Sequence, residues 1–544
     1  MNKNCRSVCA VFVLAGFFAS SASAADWYVD AVGGSDANSG TSPSSAWKTT
    51  THAVAATPQV GATTIHVAPG TYDAALGEAF PWTWRPALSL LGDQGYAVTH
   101  VVGAAGIPVI AMESLSASQS PAIGPDTLVA GLGFQSGTSA IVLRSDWGRV
   151  SPTLRDLAIT GTTSAGIAID TFPNWGEAKP ALEHVAILNC AVGLSVSANG
   201  YSGTTVRATD CTISGSTGCG ITILAEESAG VLLERCRIEH SGSWGLQILG
   251  GPGGVGHVQN SLHATTIAHN VGGIWGASGV HSFQSQTIVT RCTIADNGSV
   301  GVRMDGFGPA AALLNSTIIH GHADDLAISN SPSTVNYCEI GDGEYAGSQG
   351  NFQADPLFVN AAAGDYHLLA GSPCIDAGDP AFPLEANGSV VDVGAHTYVP
   401  PSLHIYCAAK LNSCGILTSI GSSGTQSTAA ASGYVISTSG AKALKPGLLL
   451  YSTSGRANMP FDGGVLCVAA PVRRSTLLVD TSGSAGLCNG VLKLDMNAFT
   501  WGALGGTPAP GLRIPGTRVD CQFWGRDSPG RSLLSNALEY FVAY

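Results

Sequence analysis

The sequence predicts an all-β chain in two parts: a coil of short parallel strands, a parallel β-helix, followed by a smaller β-sandwich-like domain. Three observations carry this. Of 544 residues, 70 are Gly and only 11% are charged, which favours strands and turns over long solvated helices. Isoleucines recur at 159, 187, 213, 238, 267, 294, 318 and 340, each within a short run of alternating apolar and polar residues. After residue 400 this recurrence stops and a different composition begins.

Residues 1–24 carry Lys3 and Arg6, the apolar run "VCAVFVLAGFFA" and then "SASA", the order of charge, apolar core and small residues that marks a signal peptide. The expected product is secreted or extracellular, with no transmembrane segment, since no later stretch is apolar for the length a bilayer needs. Formal charge is −13, with no basic stripe or arginine-rich arm, which argues against nucleic acid as a partner.

Residues 25–400 are read as the coil. The opening "WYVDAVGGSDANSG" supplies Trp27, Tyr28 and, later, Trp47 to seal the first turn, because an uncovered end exposes a ring of unpaired backbone groups. Residues 74–150 fit the repeat less well; there "AFPWTWRPA" reads as a projecting loop on irregular early coils. From 154 to 340 each unit places one short strand before its isoleucine and another after it, as in "TTVRATDCTI" and "GITI". So small a unit encloses no core alone, but stacked units do, each inward residue lying over its equivalent. Glycines and Asn-Gly pairs are expected at the corners. The residues after 340 are expected to close the last coil.

Residues 401–544 are read as the cysteine-containing β domain, from runs such as "GLLLYSTSG", "GGVLCVAAPVRR" and "VDCQFWGRD". Five cysteines there, an odd number, leave one outside any internal pair. Arg473, Arg474 and Arg526, near Trp524, are candidates for an acidic glycan. Within the coil, Cys211, Cys236, Cys292 and Cys338 fall on one inward column and read as small buried hydrophobes. Cys190 and Cys219, at corners of adjacent coils, are the disulfide candidates.

The motifs at both ends, together with "IHVAPGTYD" and "ADPLFVNAAAGDYHLLAGSPCIDAGDP" with "DVGAHTY", resemble secreted right-handed parallel β-helix proteins of the pectin lyase-like fold. The C-terminal part resembles a module found at the ends of large secreted bacterial proteins. The first resemblance implies lyases, glycoside hydrolases, epimerases or proteins without catalysis, so activity has to be argued from the site.

One column offers a site. The residues two after each isoleucine are Gly161, Asn189, Gly215, His240, His269, Asp296, His320 and Asp342. A carboxylate between two imidazoles suits a catalytic role for His269, Asp296 and His320, or a place for a divalent cation such as calcium, although no motif requires a cofactor. Repeated turn chemistry explains the same column without function. On the following strand the outward positions give Gln247, Trp275 and Arg303, with Asp305 beyond. An indole stacks on a sugar face and an arginine fork holds a carboxylate, so these residues and His240 are the glycan-binding candidates. Glu226, Glu227, Glu234 and Glu239 are a weaker paired-carboxylate signal. "HGH" at 320–322, with Asp324 and Asp325, reads as a solvated turn. No nucleophile elbow, phosphate loop, dinucleotide loop or HExxH motif occurs. The preferred expectation is an exported protein presenting a long face to polysaccharide or a cell-envelope glycan. The alternatives are a carbohydrate-active enzyme, lyase or hydrolase, and a purely structural surface protein.

Overall fold

The computed structural model describes residues 25–115, 122–199, 203–225, 228–250, 258–278, 285–306, 311–329, 333–385, 389–398, 404–424, 426–428, 430–479, 483–514, 517–528 and 531–542. The proposed signal segment and the Glu226–Glu227 pair lie outside them. Two compact units are present, Met1–Leu232 with Leu249–Val258, and Leu233–Ile248 with Gln259–Tyr544. Among the described residues no helix is long and apolar enough to cross a membrane.

In the first unit, strands alternate among three parallel sheets. One sheet runs Ala25–Val29, Thr63–Val67, Leu88–Gly92, Leu128–Ala130, Thr153–Arg155, Ala181–Glu183, Gly203–Thr209 and Ser228–Glu234. The other two interleave with it, so that after the opening pair Ala25–Val29 and Thr63–Val67 each strand pairs with one a coil away. Register is strict: Ile159 lies opposite Ile187, and Ile187 opposite Ile213. The start is sealed by Trp27 stacked on Trp47 at 5.0 Å. Gly40, with φ of 70°, lies so close that a Cβ would stand 2.4 Å from the Trp47 ring, so this turn requires glycine.

The second unit repeats the arrangement. Ile238, Ile267, Ile294, Ile319 and Ile340 form one continuous register, and all are buried. Each fully buried isoleucine contributes roughly 1.5–3 kcal/mol by leaving water. The seventh anchor is therefore Ile319 and not Ile318. Both residues of this pair are buried, but Ile318 points outward and packs with Leu368, Cys374 and Val393. The segment after the last coil buries it by folding back along the outer face of the sheet that carries Thr266–Ala268, Thr293–Ala295 and Ile318–His320. That segment first caps the coil, with the Ile340 amide donating to the Phe352 carbonyl at 3.0 Å. It then covers Ala268 and Ala295 with Tyr366.

Glycine turns the chain as expected at Gly131, Gly161 and Gly215, with φ between 66° and 71°. From Thr153–Arg155 onward, however, the residue that follows each first-sheet strand is left-handed without being glycine: Asp156, His184, Asp210, Arg235, Ala264, Arg291, Ser316 and Tyr337, with φ between 46° and 53°. Stacking imposes this conformation on whatever residue stands there.

The cysteine column is as expected: Cys211, Cys236, Cys292 and Cys338 are buried, and burial pushes the Cys292 and Cys338 thiols up to about 12. The proposed Cys190–Cys219 disulfide is not formed. The register explains why. The Thr217 amide donates to the Cys190 carbonyl at 2.9 Å, while the Cys219 carbonyl accepts from Gly193, so Cys219 stands two residues out of step with Cys190. Disulfides join Cys407 to Cys467 and Cys414 to Cys488, leaving Cys521 as the odd cysteine, buried inside the C-terminal sheets.

Those sheets are antiparallel. Ser532–Phe541, Arg518–Arg526 and Pro446–Ser452 run side by side, and Leu449, Tyr451, Phe499, Phe523 and Leu538 fill a core of their own.

Two substitutions test the stacking. Ile294→Ala should destabilise the protein by about 2–5 kcal/mol, whereas Ala264→Gly, which relieves a left-handed alanine, should stabilise it by up to about 1 kcal/mol. Denaturant unfolding of the two variants reads both signs.

Candidate functional site

The column of His240, His269 and Asp296 stands at the second corner of each coil, again left-handed, with φ of 55°, 55° and 52°. The next member is Gly321 and not His320, because Ile319 is the anchor and His320 lies level with Ala295. Consecutive isoleucines at 318 and 319 concealed this one-residue shift. The expected carboxylate between two histidines is thus absent as drawn.

What Asp296 meets instead is Tyr366, whose hydroxyl donates to Asp296 Oδ2 at 2.9 Å and stands 3.1 Å from His269 Nε2. His269 Nε2 also lies 3.1 Å from the Ala361 carbonyl. A carbonyl only accepts, so Nε2 carries the proton and donates it to protein. Burial, then the Asp296 charge, pushes the Tyr366 phenol up, so it stays protonated. These three groups bind the folded-back segment to the coil. His240, stacked on His269 at 5.2 Å, remains exposed.

His320 belongs to a second cluster. Its Nδ1 lies 3.3 Å from Glu339 Oε1, whose carboxyl is fully buried. This hydrogen bond pushes the His320 pKa up, and burial pushes the Glu339 carboxyl up. The "HGH" turn is solvated at Gly321, Ala323 and Asp324, as expected, but two of its side chains are not: His322 has no side-chain exposure and meets the buried Asp325 Oδ1 at 2.6 Å. Its Nε2 contacts Asn297 Nδ2 at 3.0 Å, and Asn297 Oδ1 accepts from Asn270. Thr162, Ser216, Ser241, Asn270 and Asn297 are the buried polar residues that each follow a corner residue, one place beyond the column that sequence reasoning chose.

The carboxylates of Asp324, Asp342 and Glu344 lie within 4.8 Å of one another and are exposed. Their oxygens are of the kind calcium takes, but three carboxylates fall short of its usual complement of about six to eight oxygens.

On the neighbouring strand face, Trp275 and Arg303 are register partners. Arg303 is exposed and pairs with Asp305. Gln247 occupies the middle of the strand Trp244–Gly250. Sequence reasoning missed Trp244, whose ring lies 5.5 Å from that of Trp275 and over Gly272, where a Cβ would meet it at 2.5 Å. Spacing three residues before Gln247 gave no sign that the indole would lean across to the next coil. In the C-terminal domain Arg526 stands over Trp524 at 5.6 Å, while Trp524 Nε1 donates to Asp462.

Residues 32–229 match the family described as a protein of unknown function (DUF1565), and residues 222–360 match the right handed beta helix region. The coiled part of the chain is a right-handed parallel β-helix of the pectin lyase-like fold. The β-helix superimposes on pectate lyase Pel9A with a TM-score of 0.50 at 14% identity, covering 68% of this chain and 96% of that one. The GH136 lacto-N-biosidase from Eubacterium ramulus gives 0.39 at 12% identity, covering 58% and 67%. The A-module of the Azotobacter vinelandii mannuronan C-5 epimerase AlgE6 gives 0.36 at 16%, covering 54% and 92%. At such identities the likeness is one of fold. No curated protein sequence matches the chain.

The folded-back segment carries its own pH test. His396 meets Thr266 Oγ1 at 3.2 Å, and burial, then His367 and Arg237, hold its pKa down at about 4. A folded value below the unfolded one of about 6.5 means that stability is lost as pH falls through that window. His320 acts oppositely: its raised pKa gives stability that is present in acid and lost as pH rises above its folded value. Limited proteolysis should therefore cut residues 352–398 faster at pH 4.5 than at pH 7, and His396→Gln should flatten the difference.

Proposed function

We infer that the protein is an exported β-helix that binds polysaccharide or a cell-envelope glycan on the strand face bearing Trp244, Trp275 and Arg303. The observation that carries this reading is the pair of half-buried indoles side by side in adjacent coils, followed one coil later by an exposed guanidinium. Indoles offer apolar faces to the C–H faces of sugar rings, and the guanidinium offers paired donors to a uronate. Gln247 adds a polar group, and His240 a solvent-exposed imidazole on the corner column. The fold is shared with pectate lyase Pel9A, a glycan-acting protein; fold alone assigns no reaction.

His269 Nε2 donates to the Ala361 carbonyl and the Tyr366 hydroxyl donates to Asp296 Oδ2, so both hydrogens are used in holding the folded-back segment. The lone pair on His269 Nδ1 and the second Asp296 oxygen are the groups that a proton abstraction would use. Secretion is part of the reading and rests on the N-terminal segment.

The test is incubation with a panel of neutral and acidic polysaccharides, measuring pulldown, reducing ends and absorbance of unsaturated products together. Trp275→Ala should weaken binding of every ligand that wild type holds by about 1 kcal/mol, close to fivefold. Arg303→Ala should weaken only the acidic ones. Product release that disappears in His269→Ala would replace the binding reading with an enzyme.

A further inference from the structure

The C-terminal domain differs from the coil in charge. Residues 401–544 carry 11 basic and 6 acidic residues, whereas residues 25–400 carry 11 and 31. The few acids are engaged within the domain wherever the structure describes them. Glu539 pairs with Arg456 and Arg518, and Asp520 with Arg518. Asp495 caps the helix Met496–Thr500, Asp527 accepts from Ser413, and Asp462 accepts from Trp524. Asp480 lies outside the described residues.

One edge of the domain is thereby left cationic and apolar. There the segment 473–479 lies antiparallel to Pro446–Ser452, with Arg473 opposite Tyr451 at one end and Val479 opposite Pro446 at the other. The turn that leads into Pro446 carries Leu444 and Lys445. Beside it the Ala443 amide donates to the Leu487 carbonyl at 3.0 Å, which brings Leu487 to the same edge. Midway along, a Cβ on Gly506 would stand 3.3 Å from Thr476 Cγ2, so the loop that carries Trp501 and Leu504 lies against this segment. Leu444, Leu477, Val479, Leu487, Trp501 and Leu504 are between 43% and 67% exposed. Arg513 stands over the Trp501 ring at 4.6 Å. Lys445, Arg473, Arg474 and Arg513 are all exposed, and among the described residues none of them has a carboxylate within 4.0 Å.

We propose that this edge of the C-terminal domain docks on the surface of an anionic phospholipid membrane. Such a surface offers phosphate charge to cations and an acyl boundary to apolar side chains, and a neighbouring indole and arginine suit the layer between. An acidic polysaccharide would match the arginines and leave the four leucines in water. The acidic coil does not cancel the attraction, because charges more than about 8 Å from the surface are largely screened at physiological ionic strength. The proposal is independent of the glycan reading, whose residues all lie on the coil.

Co-sedimentation of the full chain with lipid vesicles tests this. Vesicles of mixed phosphatidylcholine and phosphatidylglycerol should bind it at least about tenfold more tightly than phosphatidylcholine alone, and less tightly as salt rises. Arg473→Gln with Arg474→Gln should weaken binding by about 25-fold, at roughly fivefold per cation. Arg473→Lys with Arg474→Lys keeps both charges and should bind as wild type does. Leu477→Ser with Leu504→Ser should weaken binding by at least about tenfold and leave its salt dependence in place. All four side chains are exposed, so the Tm of each double variant should stay at the wild-type value. Equal binding to neutral vesicles, or binding to neither kind, overturns the proposal. Binding that neither the glutamine pair nor the serine pair weakens places the contact elsewhere and overturns the site. Displacement by dextran sulfate, with the serine pair still binding fully, makes the partner an acidic polysaccharide instead. Self-association without vesicles that the glutamine pair abolishes makes it a second copy of the chain, and either result overturns the lipid surface.

Discussion

Parallel stacking in register is the constraint on which the rest depends. Each backbone N–H in a coil strand finds its acceptor one coil away, so no coil can shift by a residue without exposing its isoleucine and burying a polar neighbour. Ile159 over Ile187, and Ile267 over Ile294, are the visible result. The same constraint forces left-handed backbone on aspartate, arginine, serine and alanine alike at the first corner. Such residues carry local strain because the ladder on either side over-determines them.

A coil stacked this way has an open last end and an outer face, and this chain spends its post-coil segment on both. Phe352 extends the last coil, while Tyr366, Leu368 and Val393 lie on the outward Ala268, Ala295 and Ile318. The corner histidine and aspartate meet that segment through the Tyr366 hydroxyl. Nearby, the buried run from Asn270 through Asn297 to His322 satisfies backbone groups where the chain turns, a buried polar network of the kind that holds only when its members are paired.

Trp244 and Trp275, by contrast, have no polar role inside the fold. They are held side by side because a glycine in the next coil leaves room for one ring to cross. Together with Arg303 they form a chemically distinct stretch of strand surface, apolar at one end and cationic at the other. In the early coils Trp82 and Trp84 are buried beside Arg85, whose Nε and Nη2 have no acceptor among the described residues.

The sequence by itself determined the architecture, because a β-coil writes its core as a period, and Ile213, Ile238, Ile267 and Ile294 are legible as one column without coordinates. It also determined which residues face outward on the later strands, so Trp275 and Arg303 were found as neighbours. What it could not determine is anything decided between segments distant in the chain. Ile318 and Ile319 are equally apolar, and only the segment around Leu368 and Cys374 shows which of them points out. Cys190 and Cys219 look adjacent by spacing, and only the ladder shows them two residues apart in register. His269 and Asp296 look available until Tyr366 arrives from ninety-seven and seventy residues away. Arg85 looks like any loop cation until the helix before it and the coil after it leave its fork without a partner. Local pattern fixes period and facing, whereas burial and pairing of polar groups are properties of contacts that only the folded chain creates.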